Sequence, residues 1–564
     1  MDATIESTQL QVKRNDPLLT SFTIQPPWSD AMGELGGEIG QDIGKNTQLT
    51  CVRVDFEGVQ HENGVTATSL LPFFRGLAQN RSINKICLTN CHYGLFGTGI
   101  LEILVPFLEQ NHQLRGLDMN HSHLDSRGAR MLSGALERRK VKSLTRMNLG
   151  YTRIFGESAV EELLAALSGY KNLRELNLEG TNIGFNACTL LSNKLHTHLL
   201  SVKTLRLTGL DDNKLVRLAA SLATNSTLQT LKLSRNPTIT NTGWFALSFL
   251  LQNANCKVST LNLSDNTIGT DAAVDLANSL SQNRTLKKLN LCGNRSVTTR
   301  GWMAFSTVLQ TDSRLVALVL SECNIPNEVA VMIATSLTNN RSLRLLSFSG
   351  NLSITATGWA AFSTLFQNPD SRLVSIHLCR NNIGDELAVS FATSLANNRR
   401  LEVLNLSGNP SITAVGWTAF SGLLCNTSSL NCTYNSNHTL KNLGDVDPES
   451  QLPPDLVHYL LLNEIDNQRK VHEKILMHHF AGDFSMEPFS EMKAELLVHV
   501  LACISNASAR NNCASHSALY QFLRSKPSLL GCSNEALTNK VAGVCRPAED
   551  DGAANIDMKK RRCY

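Results

Sequence analysis

Along most of this chain, apolar residues recur in one fixed order. The clearest copy is Leu401 to Leu424. Leu401, Leu404 and Leu406 come first, then Asn409, Ile412 and a run holding Trp417, Phe420 and Leu424. The leading leucines, spaced as leucine-x-x-leucine-x-leucine, predict a short strand with alternate residues turned inward. The run from Gly416, with apolar residues three and four apart, predicts a helix. The template starts at Leu19, Leu49, Ile83, Leu114, Leu144, Leu173, Val202, Leu228, Val258, Leu286, Leu315, Leu343, Leu373, Leu401 and Leu430. Neither element buries its apolar side alone, so the copies must stack. Strands stack about 4.8 Å apart and helices pack about 8–10 Å apart, so the stack curves with its strands on the concave side.

Three residues beyond the last template leucine stands a short polar side chain or a cysteine. Asn266, Asn294, Asn351, Asn381 and Asn409 hold this place in the later copies, and Cys91, Ser122, Thr152 and Thr181 in the earlier ones. Such a side chain can bond the turn backbone of its own repeat and of a neighbour, which predicts a structural ladder. A second period overlies the first. Trp244, Trp302, Trp359 and Trp417 each follow a glycine, at intervals of 58, 57 and 58 residues. Their helices alternate with Ala-rich ones, which predicts a structural wedge role for each indole.

The pattern over residues 19–440 resembles the leucine-rich repeat, and its alternation resembles the ribonuclease-inhibitor-like class. The Gly-Trp-x-Ala-Phe-Ser phrase and the Lys-Ile-Leu-x-x-His-Phe at 474–480 are similar to leucine-rich-repeat proteins of diatoms. The resemblance implies an α/β horseshoe solenoid of about 15 repeats, with strands inside and helices outside. It implies a non-enzymatic scaffold that binds a protein on its concave face. A second reading is a small-GTPase activator of the Ran-activator type. That family carries an acidic tail after its repeats, whereas this chain closes on the basic MKKRRCY.

The flanks read differently. Residues 1–18 are polar and predict a flexible N-terminus. Residues 441–451 carry proline and acid and predict a linker. Helical periodicity over 452–530 predicts a small helical unit that caps the last repeat. The polar residues 531–564 predict a largely disordered tail.

Composition narrows the function. A net charge of +4 is too slight to argue for nucleic-acid or membrane binding. No apolar run reaches the roughly 18 residues of a membrane span, and the N-terminus shows no secretory leader. Of the 15 cysteines, an odd number without framework spacing, many fall inside the repeats, which fits reduced thiols in the cytoplasm. Lys559-Lys560-Arg561-Arg562 leaves a nuclear address open. Asn-x-Ser/Thr triplets abound, and those at 262–264 and 405–407 are by-products of the strand pattern.

Candidate chemistry is sparse. GGEIGQDIGKNT (36–47) suggests a phosphate loop, but Ile39 stands where its first glycine belongs and Asn46 where Ser/Thr belongs. Cys87, on the concave side of its strand, and Cys91, turned toward the core, cannot share one tetrahedral ion. His121 and His123 with Asp125 lack a further ligand. His196, His198, His478 and His479 form bare pairs. No nucleophile–base motif occurs, so no catalytic residue, metal, cofactor or small-molecule substrate is expected. The informative residues point to the concave face. Early repeats place charge there: Arg53, Asp55, Lys85, Asp118, Arg146, Glu175, Glu179, Arg206, Lys232 and Lys288. Later ones place small or neutral groups, such as Ser347, Ser375 and Asn405. Arg146, Glu175, Glu179, Arg206 and Lys232 are therefore the candidate protein-binding residues.

Overall fold

The computed structural model describes residues 10–24, 33–56, 67–90, 100–154, 157–197, 201–310, 314–444, 452–465 and 467–479. Cys91, His198, Lys559–Arg562 and the segment 480–564, with most of the expected cap and tail, lie outside them. Fourteen strands form one open parallel sheet in chain order, from Ser21–Ile24 to Val403–Asn405. Each begins two residues after its template residue, and the inward leucines set the register. Leu231 pairs with Leu205 on one side and Leu261 on the other, all three buried. A helix follows nearly every strand, giving an α/β solenoid with strands on one side and helices on the other.

The fifteenth template start departs from the expected strand. Leu430 opens a helix, Leu430–Asn435. Ser429 caps it by accepting from the Cys432 amide at 3.1 Å. The next inward places would be Thr433 and Asn435, which offer no apolar seat to a strand. The final repeat instead reaches the sheet at Asn442, which forms a parallel bridge with Val403.

The asparagines after the strands bind neighbouring repeats together. Asn294 donates to Leu263 O at 2.9 Å and Leu291 O at 2.7 Å. Asn351 donates to Leu320 O and Phe348 O, both at 2.9 Å. The amide oxygens of Asn266, Asn381 and Asn409 accept from the backbone N–H of Asn236, Asn351 and Asn381 in the preceding repeat. All are buried, which is what a fully bonded amide permits.

A second asparagine ladder runs along the helix-to-strand side, three residues ahead of the template leucine. Asn80, Asn225, Asn283, Asn340 and Asn398 are buried there. Asn283 donates to Leu251 O at 2.6 Å and accepts from the Thr285 and Leu286 amides. The sequence reading missed this ladder, although its spacing from the leucines is constant. Several Asn-x-Ser/Thr triplets, such as Asn80-Arg81-Ser82 and Asn340-Arg341-Ser342, belong to it.

The four tryptophans sit deep between layers. Trp244, Trp302 and Trp359 are 0% exposed and Trp417 is 3%. Trp359 meets Phe348 and Phe362 at centroid distances of 6.4 and 5.4 Å. None of the four indole N–H groups has an acceptor among the described residues. The preceding glycine is required by close approach. A Cβ on Gly358 would lie 2.6 Å from both Asn327 Oδ1 and Ile354 Cγ2, and one on Gly416 would lie 2.7 Å from Asp385 Oδ1. Asp385, first in the preceding helix, accepts from the Thr413 and Gly416 amides and the Thr413 hydroxyl. Glycine leaves room for that staple.

The glycine-rich stretch near the start is a helix, Gly33–Lys45. Gly40 and Gly44 face Phe73 O and Gly76 O of the next helix so closely that no side chain fits. Its glycines serve helix packing. At the other end, helix Asn467–His479 packs on helices Leu430–Asn435 and Pro454–Glu464. Lys474 Nζ donates to Leu424 O at 2.6 Å and Asn463 Oδ1 at 2.8 Å, and lies 3.3 Å from His438 Nδ1. Lys470 donates to His438 O at 2.6 Å. No helix among the described residues is long and apolar enough to cross a membrane.

Candidate protein-binding face

Strand alternation presents the residues two and four places after each template start on the concave face. Arg146 and Glu175 are register partners there and form an ion pair at 3.1 Å. Arg206 pairs in register with Asn177 on one side and Lys232 on the other. Glu179 stands just past its strand and accepts from Tyr151 Oη at 2.8 Å and Ser234 Oγ at 3.3 Å. The five candidate residues therefore occupy successive repeats of one surface. Arg146, Glu175 and Arg206, with Lys85 and Asp118, line a depression of about 160 Å³. Across its floor Asn177 donates to Asn148 at 2.7 Å, and Asn148 donates to Asp118 at 2.9 Å. Gly116 leaves space that the Lys85 side chain fills, since a Cβ there would lie 3.0 Å from Lys85 Cγ.

A row of residues along the rim escaped the sequence reading. The residue just before each ladder position takes a left-handed backbone. Gly180, Gly209, Gly293, Gly350 and Gly408 do so without strain, but Asn90, His121, Tyr151, Arg235, Asp265, Glu322 and Arg380 do so as well, with φ between 52° and 59°. These larger side chains cover the turns. His121 and Tyr151 stack at 4.7 Å, nearly parallel at 4°. Arg235 reaches Tyr151 Oη at 3.1 Å and pairs loosely with Asp265 at 3.8 Å. Arg295 pairs with Glu322 at 2.7 Å. Their only signal in the sequence is a constant place ahead of the ladder residue, where glycine alternates with polar residues.

The other candidates have local duties. Asp125 caps helix Ser126–Arg138 by accepting from the Gly128 amide at 2.6 Å. His196 bonds Thr224 at 2.9 Å, His478 bonds Tyr459 at 2.8 Å and His479 bonds Thr433 at 2.8 Å. Cys87 shares the concave register with Arg53 and Asp118, yet it is wholly buried. It bonds Cys51 on the neighbouring strand. That bond, with Lys85 and Arg53 nearby, lowers the Cys51 thiol, whereas the same bond and burial raise Cys87. Among the described residues no cluster of histidine, cysteine or acid could hold a metal ion.

Known proteins share this pattern. The family model described as Leucine Rich repeat matches residues 224–248, 254–277 and 397–421. Ribonuclease inhibitor of Sus scrofa is 26% identical over 377 residues, 66% of this chain and 79% of that one. Its counterpart from Mus musculus is 26% identical over 329 residues, 58% of this chain and 71% of that one. The human NACHT, LRR and PYD domains-containing protein 14 is 26% identical over 309 residues, 54% of this chain but 28% of that much longer one.

Proposed function

We propose that this chain, a leucine-rich-repeat solenoid similar to ribonuclease inhibitor, is a non-enzymatic scaffold that binds a protein partner on its concave face. The observation that carries the reading is the depression walled by Arg146, Glu175 and Arg206 on successive strands. Neighbouring strands are about 4.8 Å apart, so charges from Arg146 to Lys232 span roughly 15–20 Å, the footprint of one partner. A rigid parallel sheet holds them at fixed spacing, which suits recognition by charge complementarity. The face mixes signs, which favours a protein over a nucleic acid, whose phosphates would draw a uniformly basic face. The relatives named as an inhibitor of a ribonuclease support the same class of role.

The test is capture from a cell lysate by the full chain, with partners identified by mass spectrometry. Binding is then compared with Arg146→Glu/Arg206→Glu. The double reversal should weaken binding, chiefly through slower association, and the loss should shrink in high salt. Unchanged affinity and association rate at low salt, with binding abolished by Ser347→Arg or Ser375→Arg, would move the site to the neutral half. Turnover of a small GTPase in the presence of the chain would favour the activator reading instead.

A further inference from the structure

Many charges along this side of the sheet are already satisfied within the protein. Arg146 holds Glu175, Arg235 leans on Asp265 and Arg295 holds Glu322. Glu179 is engaged by Tyr151 and Ser234. Lys85 makes no such bond among the described residues either, but it faces Cys51 and Gly116 in register, whereas Arg206 and Lys232 are two cations side by side. They stand directly opposite each other on adjacent strands, both half-buried on the same face. Neither side chain makes a hydrogen bond or ion pair among the described residues. Their outer neighbours in the same row, Asn177 and Asn262, are neutral and use their amide oxygens on the Glu179 and Ser264 amides. Like charges directly opposite on paired strands are unfavourable. Burial first, and then Arg206, lowers the Lys232 ammonium, while Glu179 opposes this.

We infer that Arg206 and Lys232 form a seat for two carboxylates on one segment of a protein partner. The inference rests on the concave-face reading and names the chemistry that face selects. Strands about 4.8 Å apart set the two cations at a spacing that an acidic pair one helical turn apart, about 5–6 Å between Cβ atoms, can match. The whole charged face points the same way. Arg53, Lys85, Arg146, Arg206, Lys232 and Lys288 outnumber Asp55, Asp118, Glu175 and Glu179. A nucleic acid fits less well. Its continuous phosphates, running along the strands' stacking direction, would pass Glu175 and Glu179 within a strand or two of the seat.

The experiment uses the full chain and a helical peptide with glutamate pairs at i and i+4, against its glutamine twin. Inorganic phosphate and an oligothymidylate serve as further arms. At low salt the acidic peptide should bind at least about tenfold more tightly than its twin, since charge pairs at such faces contribute on that order. Arg206→Gln/Lys232→Gln should erase the preference, while Arg53→Gln retains it. Lys232→Glu alone should erase it too and raise the melting temperature, because Arg206 then gains a carboxylate in place. Three results overturn the seat: no preference in the parent, a preference that survives both variants, or tighter binding of oligothymidylate or phosphate than of the peptide. If the preference survives these variants but falls in Lys85→Gln, the seat is wrong and the concave reading stands. A hydrogen-exchange footprint on the helices instead of the strands would overturn both.

Discussion

Tyr151 Oη lies 3.1 Å from Arg235 Nη1, although 84 residues separate them in the chain. The turn glycine Gly180 leaves room for the Tyr151 ring. A Cβ on Gly180 would sit 2.8 Å from Tyr151 Cδ1, and its φ of +75° already disfavours any other residue. Gly180→Ala should therefore destabilise the middle repeats by about 1–2 kcal/mol. Tyr151→Phe should cost about 1 kcal/mol through its lost hydrogen bonds. Denaturant unfolding followed by amide exchange checks both, and an unaffected Gly180→Ala protein would contradict the crowding.

Trp359→Ala should cost about 3–5 kcal/mol, as large aromatic truncations in packed cores do. Trp359→Phe should cost clearly less, because it also removes an indole N–H that has no acceptor among the described residues. Thermal melts of the two variants decide it. Equal losses would mean that indole volume alone matters.

Asn351 uses both ends of its amide: it donates to two carbonyls and accepts from the Cys323 amide at 3.0 Å. Asn351→Ala should cost about 2–3 kcal/mol by stranding buried groups. Asn351→Asp should be no better, since a carboxylate has no donor for Leu320 O and Phe348 O. A rescue by aspartate, read by the melting temperature, would refute this account.

Docking of the helix bearing Lys474 should weaken in acid. Burial pushes Lys474 from 10.5 to about 7, so the unfolded segment holds the extra proton between those values and stability falls as pH drops through them. Burial, with Lys474 beside it, pushes His438 from 6.5 to about 3, which extends the loss below neutrality. Exchange of amides in Pro454–Glu464, corrected for intrinsic rate, should show weaker protection at pH 5 than at pH 9. Lys474→Met should flatten the alkaline part of this dependence.

Cys51 is the half-exposed member of the Cys51–Cys87 pair and the one whose thiol is lowered. At neutral pH iodoacetamide should modify it ahead of Cys188, Cys256 and Cys323, whose burial raises them. Lys85→Gln should slow its labelling, as read by peptide mass mapping. Uniform labelling across these sites would contradict the assignment.

The solenoid was legible because leucine spacing specifies a strand directly, and fourteen of the template starts lead into sheet strands. Leu430 misled because a leucine alone does not make a strand; Thr433 and Asn435 supply the wrong inward groups, and Ser429 supplies a helix cap. The charged concave positions follow from alternation, so Arg146, Glu175 and Arg206 could be placed on one face without coordinates. The rim could not. Tyr151, Arg235 and Glu322 sit where other repeats use glycine, and nothing in their identity announces a left-handed backbone. The second asparagine ladder was hidden among polar turn residues, because Asn80 or Asn340 looks like any loop asparagine until its carbonyl partners are seen.

The asparagine bonds also bear on how such a chain can change length. Each connects its own repeat only to an adjacent one, and the glycine before each tryptophan answers to the helix just ahead, at its first residue for Gly243, Gly358 and Gly416 and at Ala273 for Gly301. The smallest unit that can be lost or gained with every surviving partner replaced by an equivalent one is a pair of repeats. Excising residues 302–358 would join Gly301 to Trp359 and remove 57 residues. The arc would then shorten in fixed steps, like beads taken from a string two at a time. Its charged end and its closing helices would be brought nearer without either being redrawn.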